Sequence, residues 1–258
     1  MLEFQNVSFK YKEDDDILFE QLSFQIQSHE FVSIIGASGC GKSTIFRLIN
    51  GLEAMQAGAV FWYGTPLAEV DQLFSAYMPQ NDLLLPWRST VKNVELPLEL
   101  RGIPAPERRR RALDLLQTVG LTDYAEVMPS ELSGGMRQRV SFARTLMTGA
   151  EMLLLDEPFS ALDFLTRIQL QSWLIQQYME QPRTILFVTH DVEEALFLSS
   201  RVLVMEGRPV RSISSLQVPL SYPRRRSDLE RPEIVALKRT LLAKLGTAST
   251  QQKGQVEE

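Results

Sequence analysis

The sequence has little cysteine, no long apolar run and no excess of positive charge. Its single cysteine, Cys40, excludes an internal disulfide and is typical of a protein from a reducing compartment. The longest apolar runs, such as 152–155 and 185–188, are strand-sized and far below the ~20 residues that a membrane-spanning helix needs. The first residues do not combine a basic start with an apolar run, so we expect no signal peptide.

The size and charge of the chain narrow the class of protein further. The formal net charge is −5, which disfavours broad electrostatic binding to nucleic acid because such binding needs a basic surface. The 258 residues, 44% of them hydrophobic, are enough for a large domain with its own core. We therefore expect a globular protein that reaches a membrane only through a partner.

Hydrophobic patterns of strands and helices follow each other along the chain. The predicted strands are 2–9, 18–27, 31–35, 60–64, 152–155, 184–189 and 202–205. The predicted helices are 43–50, 107–119, 132–146, 164–180, 192–198 and 232–245. Because strands and helices alternate after residue 152, these patterns predict an α/β fold with a mostly parallel sheet and helices on both of its faces.

Composition suggests how the chain is divided. We place the main domain at 2–215, with a helical sub-lobe inserted between strands at residues 82–140. A C-terminal extension, 216–245, carries the last predicted helix, and its arginines at 224–226 are expected on a solvated face. The polar residues 246–258 are expected to be disordered.

The segment Gly-Ala-Ser-Gly-Cys-Gly-Lys-Ser at 36–43 has the spacing of a phosphate-binding loop, between a predicted buried strand and a predicted helix. Glycines let the backbone N–H groups face one centre, where together with the helix N-terminus they stabilise phosphate oxygens. Lys42 adds a positive charge near the β- and γ-phosphates, and the hydroxyl of Ser43 is placed to bind Mg²⁺. The alternative is a glycine-rich turn without a ligand. The predicted nucleotide contacts are Gly36, Ala37, Ser38, Gly39, Cys40, Gly41, Lys42, Ser43 and Thr44.

Cys40 lies inside this loop, where backbone N–H groups and a helix N-terminus favour a thiolate. We therefore expect the pKa of its thiol to be lower than that of a free thiol. On this expectation alkylation of Cys40 blocks nucleotide binding, and MgATP protects the thiol. The alternative is a small residue that simply fits the loop.

Two adjacent acids follow the predicted buried strand 152–155. In phosphate-loop ATPases an aspartate at such a strand end, here Asp156, holds Mg²⁺ through water. Because adjacent side chains point in different directions, Glu157 can orient and polarise the attacking water while Asp156 serves the metal. The alternative is a pair of acids that merely opens a loop.

His190 ends another apolar strand, at the carboxyl end where ligands bind in parallel sheets. We expect His190 to contact the γ-phosphate; the alternative is a structural histidine. The other histidine, His29, lies in a loop before a strand and is expected to be exposed.

Ser133, Gly134 and Gly135 open the predicted helix 132–146 and give the chain a second helix N-terminus suited to an anion. The chain already has a phosphate-binding loop for its own nucleotide. A second cradle makes sense if it faces a nucleotide that is held by another copy.

The order of these motifs resembles that of the ATP-binding cassette (ABC) ATPases, the motor subunits of ABC transporters. Residues 132–138, Leu-Ser-Gly-Gly-Met-Arg-Gln, are similar to the family's signature sequence, and the methionine is typical of a group of bacterial importer ATPases. Residues 160–163, which end in Asp163, resemble the D-loop that crosses the dimer interface. Gln80 resembles the Q-loop glutamine, which touches Mg²⁺ and the attacking water. Tyr11 resembles the aromatic residue that stacks on adenine; the competing candidate is Phe9, and the alternative is a tyrosine that packs locally.

The resemblance implies a RecA-like phosphate-loop core with a mostly parallel sheet, an N-terminal antiparallel β sub-lobe and the inserted α-helical sub-lobe. It implies an enzyme that hydrolyses ATP with Mg²⁺. The implied catalytic residues are Glu157, His190, Gln80 and Lys42, and the implied metal ligands are Ser43, Gln80 and Asp156.

The resemblance also implies partners. Two copies would pair head to tail, so that Ser133 and Gly135 of one copy close over the ATP bound at Lys42 of the other. Residues 83–87 and 189–195 are similar to those of nitrate, sulfonate and taurine importer ATPases. This implies a peripheral subunit on the cytoplasmic face of the inner membrane, attached to transmembrane permease subunits and, through them, to an extracytoplasmic substrate-binding protein.

Residues 83–87, Leu-Leu-Leu-Pro-Trp, form an apolar cluster on a predicted loop, which we expect to receive a helix of the permease. The alternative is packing inside the sub-lobe. Such a subunit does not touch the cargo, so the transported solute stays open.

Two other functions compete with transport. One is a cytosolic ABC ATPase that acts on nucleic acid, but its relatives carry long coiled coils that this acidic chain lacks. The other is a small-metabolite kinase with a phosphate-binding loop, which would have no reason for the signature at Ser133.

Overall fold

The computed structural model describes residues 1–14, 16–70 and 74–253, with side chains described as far as residue 246. The described residues form two compact units, one drawn from 1–72 and 175–258 and the other from 73–174. The predicted sub-lobe 82–140 falls within the second unit, while the predicted domain boundaries stay predictions.

The predicted α/β class is confirmed by the order of the elements. The strands are β1 Leu2–Phe9, β2 Phe19–Ile26, β3 Phe31–Gly36, β4 Ala57–Trp62, β5 Thr65–Pro66, β6 Ser75–Met78, β7 Met152–Asp156, β8 Thr184–Val188, β9 Arg201–Met205 and β10 Ile213–Gln217. The α-helices are α1 Lys42–Ile49, α2 Thr90–Leu100, α3 Ala105–Thr118, α4 Gly134–Met147, α5 Phe164–Glu180, α6 Val192–Leu198 and α7 Pro232–Lys253.

The first unit contains an antiparallel sheet and a mostly parallel one. The antiparallel sheet has the strand order β2-β1-β4-β5, as expected for the N-terminal β sub-lobe. In the other sheet β3 lies between β8 and β9 and is parallel to both, and β10 adds an antiparallel edge. Because β3 and β8 are parallel, the residues after their carboxyl ends lie at the same edge, and this edge carries Gly36 and His190.

The C-terminal helix α7 packs through its apolar face on other elements of the first unit. Ile234 and Leu241 of α7 are buried in one cluster with residues of α6 and β9, including Leu196 and Val204. The helix α7 continues to Lys253, past the predicted end at Leu245. The expected disorder of the polar tail 246–258 stays a prediction. Residues 254–258 lie outside the described residues.

The second unit combines a pair of parallel strands, β6 and β7, with α2, α3 and α4, which pack against one another. The sequence patterns missed β6 and α2. Strand β6 is short, and α2 contains Pro97, a residue that normally argues against a helix interior. Among the described residues, no helix combines the length and the apolar character needed to cross a membrane.

Candidate functional site

The loop between β3 and α1 has a backbone that depends on its glycines. Gly39 and Gly41 have φ values of +77° and +100°, in the left-handed region that side chains disfavour. At Gly36 a Cβ atom would lie 2.7 Å from the Cys40 sulfur and 2.9 Å from the carbonyl oxygen of Met205. Glycine is therefore favoured by the backbone at Gly39 and Gly41, and by close neighbours at Gly36.

The ammonium group of Lys42 lies against this loop. Its Nζ donates hydrogen bonds to the carbonyl oxygens of Gly36 and Ala37, at 3.0 and 2.9 Å. Because the N-cap of α1 is Gly41, no side chain of that residue caps the first turn. Positive charge and helix-end N–H groups thus meet at the carboxyl end of β3, an arrangement suited to phosphate.

The surroundings of Cys40 contradict the low pKa that the sequence predicted for its thiol. The side chain is 1% exposed. Burial raises the pKa of the Cys40 thiol, and the charge of Lys42 and backbone hydrogen bonds offset this only in part. The expected thiolate is therefore wrong, because the expectation counted the nearby N–H groups and neglected the loss of water.

The side chain of Tyr11 contacts α1, the helix that follows the phosphate loop. Its hydroxyl is 2.8 Å from the Oγ1 atom of Thr44, and its ring packs edge-to-face on Phe9 with centroids 4.9 Å apart. Phe9 itself is buried, so Tyr11 is the more accessible of the two candidates. The stacking of Tyr11 on adenine stays a prediction.

His190 is exposed just after β8, at the edge of the sheet that also carries the phosphate loop. The residues on either side of it are fixed by hydrogen bonds. The backbone N–H of Thr189 donates to Ile34 of β3, and the carboxylate of Asp191 caps α6 by accepting from the N–H groups of Glu193 and Glu194. His29 is exposed, as predicted.

The second unit brings together the two predicted acids and the predicted glutamine. Asp156 ends β7 and is 2% exposed, and the hydroxyl of Tyr77 donates to its Oδ2 atom at 3.4 Å. Nε2 of Gln80 lies 3.5 Å from Oε2 of Glu157. Glu157 has φ +48°, a left-handed conformation that is rare for a residue with a side chain. Backbone strain of this kind collects at functional sites.

The signature segment forms the start of α4, as predicted. Ser133 is the N-cap, and its Oγ accepts a hydrogen bond from the N–H of Met136 at 3.3 Å. Gly134 is exposed. A Cβ atom at Gly135 would lie 3.0 Å from the carbonyl oxygen of Ala161, so this turn of α4 closely approaches the D-loop segment.

Asp163 is exposed at the start of α5. Its Oδ1 accepts from the N–H of Thr166 at 3.0 Å, and hydrogen bonds from the Thr166 side chain and backbone lower the pKa of Asp163. The side chain therefore caps α5, and its predicted role at a dimer interface stays a prediction.

Sequence reasoning missed the residues of α4 that hold these segments. Gln138 is 5% exposed and its amide bonds to the segment 157–161. Arg144 donates to the carbonyl oxygens of Asp82 and Leu83 at 2.7 and 2.8 Å, and Arg137 donates to the Asp82 carboxylate at 3.0 Å. Polar residues in an amphipathic helix usually face water, so the sequence carries no signal that these three hold neighbouring segments.

The donor set fits Mg²⁺ in kind. The predicted ligands offer a hydroxyl (Ser43), an amide oxygen (Gln80) and a carboxylate (Asp156), all hard oxygen donors. Among the described residues, no group of three or more histidine, cysteine or acidic side chains could hold a metal by itself. Mg²⁺ typically uses few protein ligands and completes its shell with phosphate oxygens and water.

Comparison with known proteins identifies the family. Residues 19–160 match the family described as ABC transporter. The formylaminopyrimidine import ATP-binding protein ThiZ of Halalkalibacterium halodurans is 40% identical over 233 residues, 90% of this chain and 90% of that protein. The taurine import ATP-binding protein TauB of Rhizobium johnstonii is 45% identical over 199 residues, 76% of this chain and 74% of that protein.

A solved structure agrees with these sequence matches. The dimeric, post-hydrolysis state of the ATP-binding cassette MJ0796 bound to ADP and Pi is similar with a TM-score of 0.76 at 28% identity, covering 86% of this chain and all of that one. The relatives named above lend no support to the nucleic-acid alternative. On the family match and on relatives this similar over most of their length, the chain belongs to the ABC transporter family of ATP-binding proteins.

Proposed function

We propose that this chain hydrolyses ATP and uses the reaction to power import of a small solute by a bacterial transporter. The observation that carries the proposal is the combination of three motifs, the phosphate loop, the Asp156–Glu157 pair and the helix start at Ser133, in a chain whose relatives are named import ATP-binding proteins.

The residues divide the chemistry between them. Lys42 and the N–H groups of the loop bind the phosphates and stabilise negative charge. Ser43, Asp156 and Gln80 would hold Mg²⁺, which offsets charge on the β- and γ-phosphates.

Hydrolysis needs a positioned water and groups that stabilise the negative charge at the γ-phosphate. Glu157 orients this water, whose oxygen bonds to the γ-phosphorus as the bond to the β–γ bridging oxygen breaks and ADP leaves. His190 contacts the γ-phosphate from the carboxyl end of β8. Catalysis of this kind consists mostly of positioning and charge stabilisation.

A second copy completes each site in this proposal. The N-terminus of α4, with Ser133 and Gly135, covers the ATP bound at Lys42 of the other copy. Asp163 and its D-loop lie at the contact between the copies. The dimeric state of the similar cassette supports this arrangement.

The permease contact lies on the second unit. Leu83 and Trp87 are 63% and 72% exposed, although large apolar side chains are normally buried. We assign this surface to a cytoplasmic helix of a membrane-embedded permease, which places the chain at the inner face of the membrane and links it to an external substrate-binding protein. Nitrate, a sulfonate, taurine or a similar small solute fits the resemblance.

The decisive experiment is a tagged pull-down from detergent-solubilised membranes, with partners identified by mass. A multi-span partner in equal amount would support the transporter subunit, and recovery only from the soluble fraction or with nucleic acid would contradict it. Glu157→Gln provides the enzymatic arm. It is expected to abolish hydrolysis and to form an ATP-dependent dimer, whereas a small-metabolite kinase would stay monomeric.

A further inference from the structure

The carbonyl oxygen of Glu157 receives an unusual number of hydrogen bonds. It accepts from Nε2 of Gln138 at 2.9 Å, from the hydroxyl of Ser160 at 3.0 Å and from the backbone N–H of Ser160 at 3.2 Å. One of these donors, Gln138, comes from a different element, the helix α4. The backbone of Glu157, the predicted catalytic residue, is thus held in part by a side chain of α4, the helix that begins with the signature segment.

Both ends of the Gln138 amide are used. Nε2 also donates to the Ser160 hydroxyl at 3.2 Å, and Oε1 accepts from the N–H of Ala161 at 2.9 Å. The side chain is 5% exposed, so these bonds form away from water, where a lost partner is costly to replace. Gln138 therefore fixes the segment 157–161 at three residues, Glu157, Ser160 and Ala161.

This fixation matters because of the backbone at Glu157. A φ of +48° is unfavourable for glutamate and persists only where the surroundings impose it. The direction of the Glu157 side chain follows from this backbone. Gly135, at the start of α4, also approaches the carbonyl oxygen of Ala161 closely, so the helix start and the segment are in contact as well.

We propose that Gln138 is a positioning residue that holds the left-handed backbone of Glu157 and so aims its carboxylate at the attacking water. The proposal rests on the proposed function, in which Glu157 acts on that water. It has a consequence for the dimer: a displacement of the α4 N-terminus by nucleotide on the partner copy is passed directly to the Glu157 of the same chain.

The test uses Gln138→Met in the purified full-length chain. Methionine has a similar length but makes none of the three hydrogen bonds, so kcat for ATP hydrolysis should fall at least about tenfold, since small misplacements of catalytic groups have effects of this size. The KM and the binding constant for ATP should stay within about threefold. The matched control is Thr145→Val, which removes another buried polar group of α4, a hydroxyl that donates to the carbonyl of Ser141, and should leave kcat unchanged.

A second variant, Gln138→Glu, separates positioning from simple stability. Its carboxylate cannot donate to the Glu157 carbonyl, but the protonated acid can, and burial favours the protonated form. The ratio of its kcat to that of the wild type should therefore rise as the pH is lowered. A flat ratio, an unchanged kcat in Gln138→Met, or a loss of ATP binding in proportion to kcat would each overturn the proposal.

Glu157→Gln is measured in parallel to separate the two levels of inference. If it is inactive while Gln138→Met hydrolyses ATP at the wild-type rate, only the role of Gln138 fails. If Glu157→Gln retains the wild-type rate, both the catalytic role of Glu157 and the positioning role of Gln138 are wrong.

Discussion

The side-chain amide of Gln80 and the carboxylate of Glu157 face each other in the second unit, with Nε2 3.5 Å from Oε2. The two residues reach this place from different strands, Gln80 from the chain after β6 and Glu157 from the end of β7, and these strands are parallel neighbours. The carboxyl ends of β6 and β7 therefore lie at the same edge of the sheet. In the proposed mechanism, in which Glu157 orients the attacking water, this places the amide of Gln80 beside the same water.

Replacing Gln80 by leucine should lower hydrolysis without removing the nucleotide. The substitution keeps the volume but deletes the amide, and positioned polar groups of this type contribute at least about tenfold to the rate. The affinity for ATP measured without Mg²⁺ should change little because the phosphate loop is untouched. Steady-state kinetics together with equilibrium ATP binding check this. Equal losses in kcat and in affinity would show instead that Gln80 acts in binding.

The phosphate loop offers a matched pair of glycines for a stability test. A Cβ atom at Gly41 would lie 2.6 Å from the ring of Phe19, whereas one at Gly39 would meet nothing within 4 Å. Both positions have positive φ. Gly39→Ala should therefore cost about 1 kcal/mol through backbone strain alone, and Gly41→Ala about 2–4 kcal/mol through strain plus a clash. Urea unfolding of both variants measures the difference, and equal losses would contradict the clash at Gly41.

Cys40 should make stability fall at alkaline pH. Below the ordinary thiol pKa of about 8.5 both the folded and the unfolded chain hold the proton of Cys40. There the contribution of the neutral thiol to the free energy of unfolding is fully present. As the pH rises further, the unfolded chain loses the proton while the folded chain keeps it, because burial raises the pKa of the Cys40 thiol. The free energy of unfolding should therefore decrease until the pH passes the folded-state pKa.

The measurement is urea unfolding at several pH values between neutral and alkaline, for the wild type and for Cys40→Ala. Tyr222 also has a raised pKa because it is buried, but it is present in both proteins and cancels in the difference. The variant should lack the extra alkaline loss. Identical slopes for the two proteins would mean that Cys40 does not titrate differently on folding.

The sequence predicted the fold well where the spacing of apolar residues and the residues that end helices or form turns indicate the same element. The strand predicted at 31–35 and the helix predicted at 43–50 correspond to β3 and α1 within one residue at each end. Gly51 has φ +65°, and its N–H donates to Leu48, as a helix C-terminus requires. Such features depend on near neighbours in the chain, which a sequence displays directly.

Features that depend on distant neighbours could not be predicted. Glu157 was singled out by its position after β7, but its left-handed backbone and the hydrogen bond that its carbonyl oxygen accepts from Gln138 of α4 are not visible in the sequence. Cys40 was assigned a thiolate because the loop is visible in the sequence and the packing around it is not. Gln138 looks like any polar residue of an amphipathic helix until its surroundings are known.

Trp87 should be needed for coupling and not for hydrolysis. Its side chain is 72% exposed, so Trp87→Ala should leave the ATPase rate of the isolated chain within about twofold and the fold intact. In reconstituted transporter the same variant should hydrolyse ATP without moving solute. Tyr63→Ala, at an exposed aromatic residue of the first unit, is the control and should transport normally. Loss of hydrolysis in the isolated Trp87 variant would assign this residue to the ATPase itself.

Arg224 was expected on a solvated face with its neighbours, but the structure buries it to 7% exposure. Its guanidinium donates to the carbonyl oxygens of Leu196, Phe197 and Ser199 at the end of α6, and to that of Leu220. The end of a helix leaves such carbonyls without partners, and a cation there is favourable. Three successive arginines look identical in sequence, so which one turns inward is decided by the fold.

Arg224→Ala should therefore destabilise the chain by about 2–4 kcal/mol, because it leaves several buried carbonyl groups without a donor. Arg225→Ala is the matched control: the side chain is exposed, and its loss should change the free energy of unfolding by less than about 0.5 kcal/mol. Urea unfolding at neutral pH compares the two. If both variants lose the same small amount, the hydrogen bonds of Arg224 do not hold the C-terminal extension on α6. A large loss for Arg224 alone would establish that this extension is part of the fold around α6.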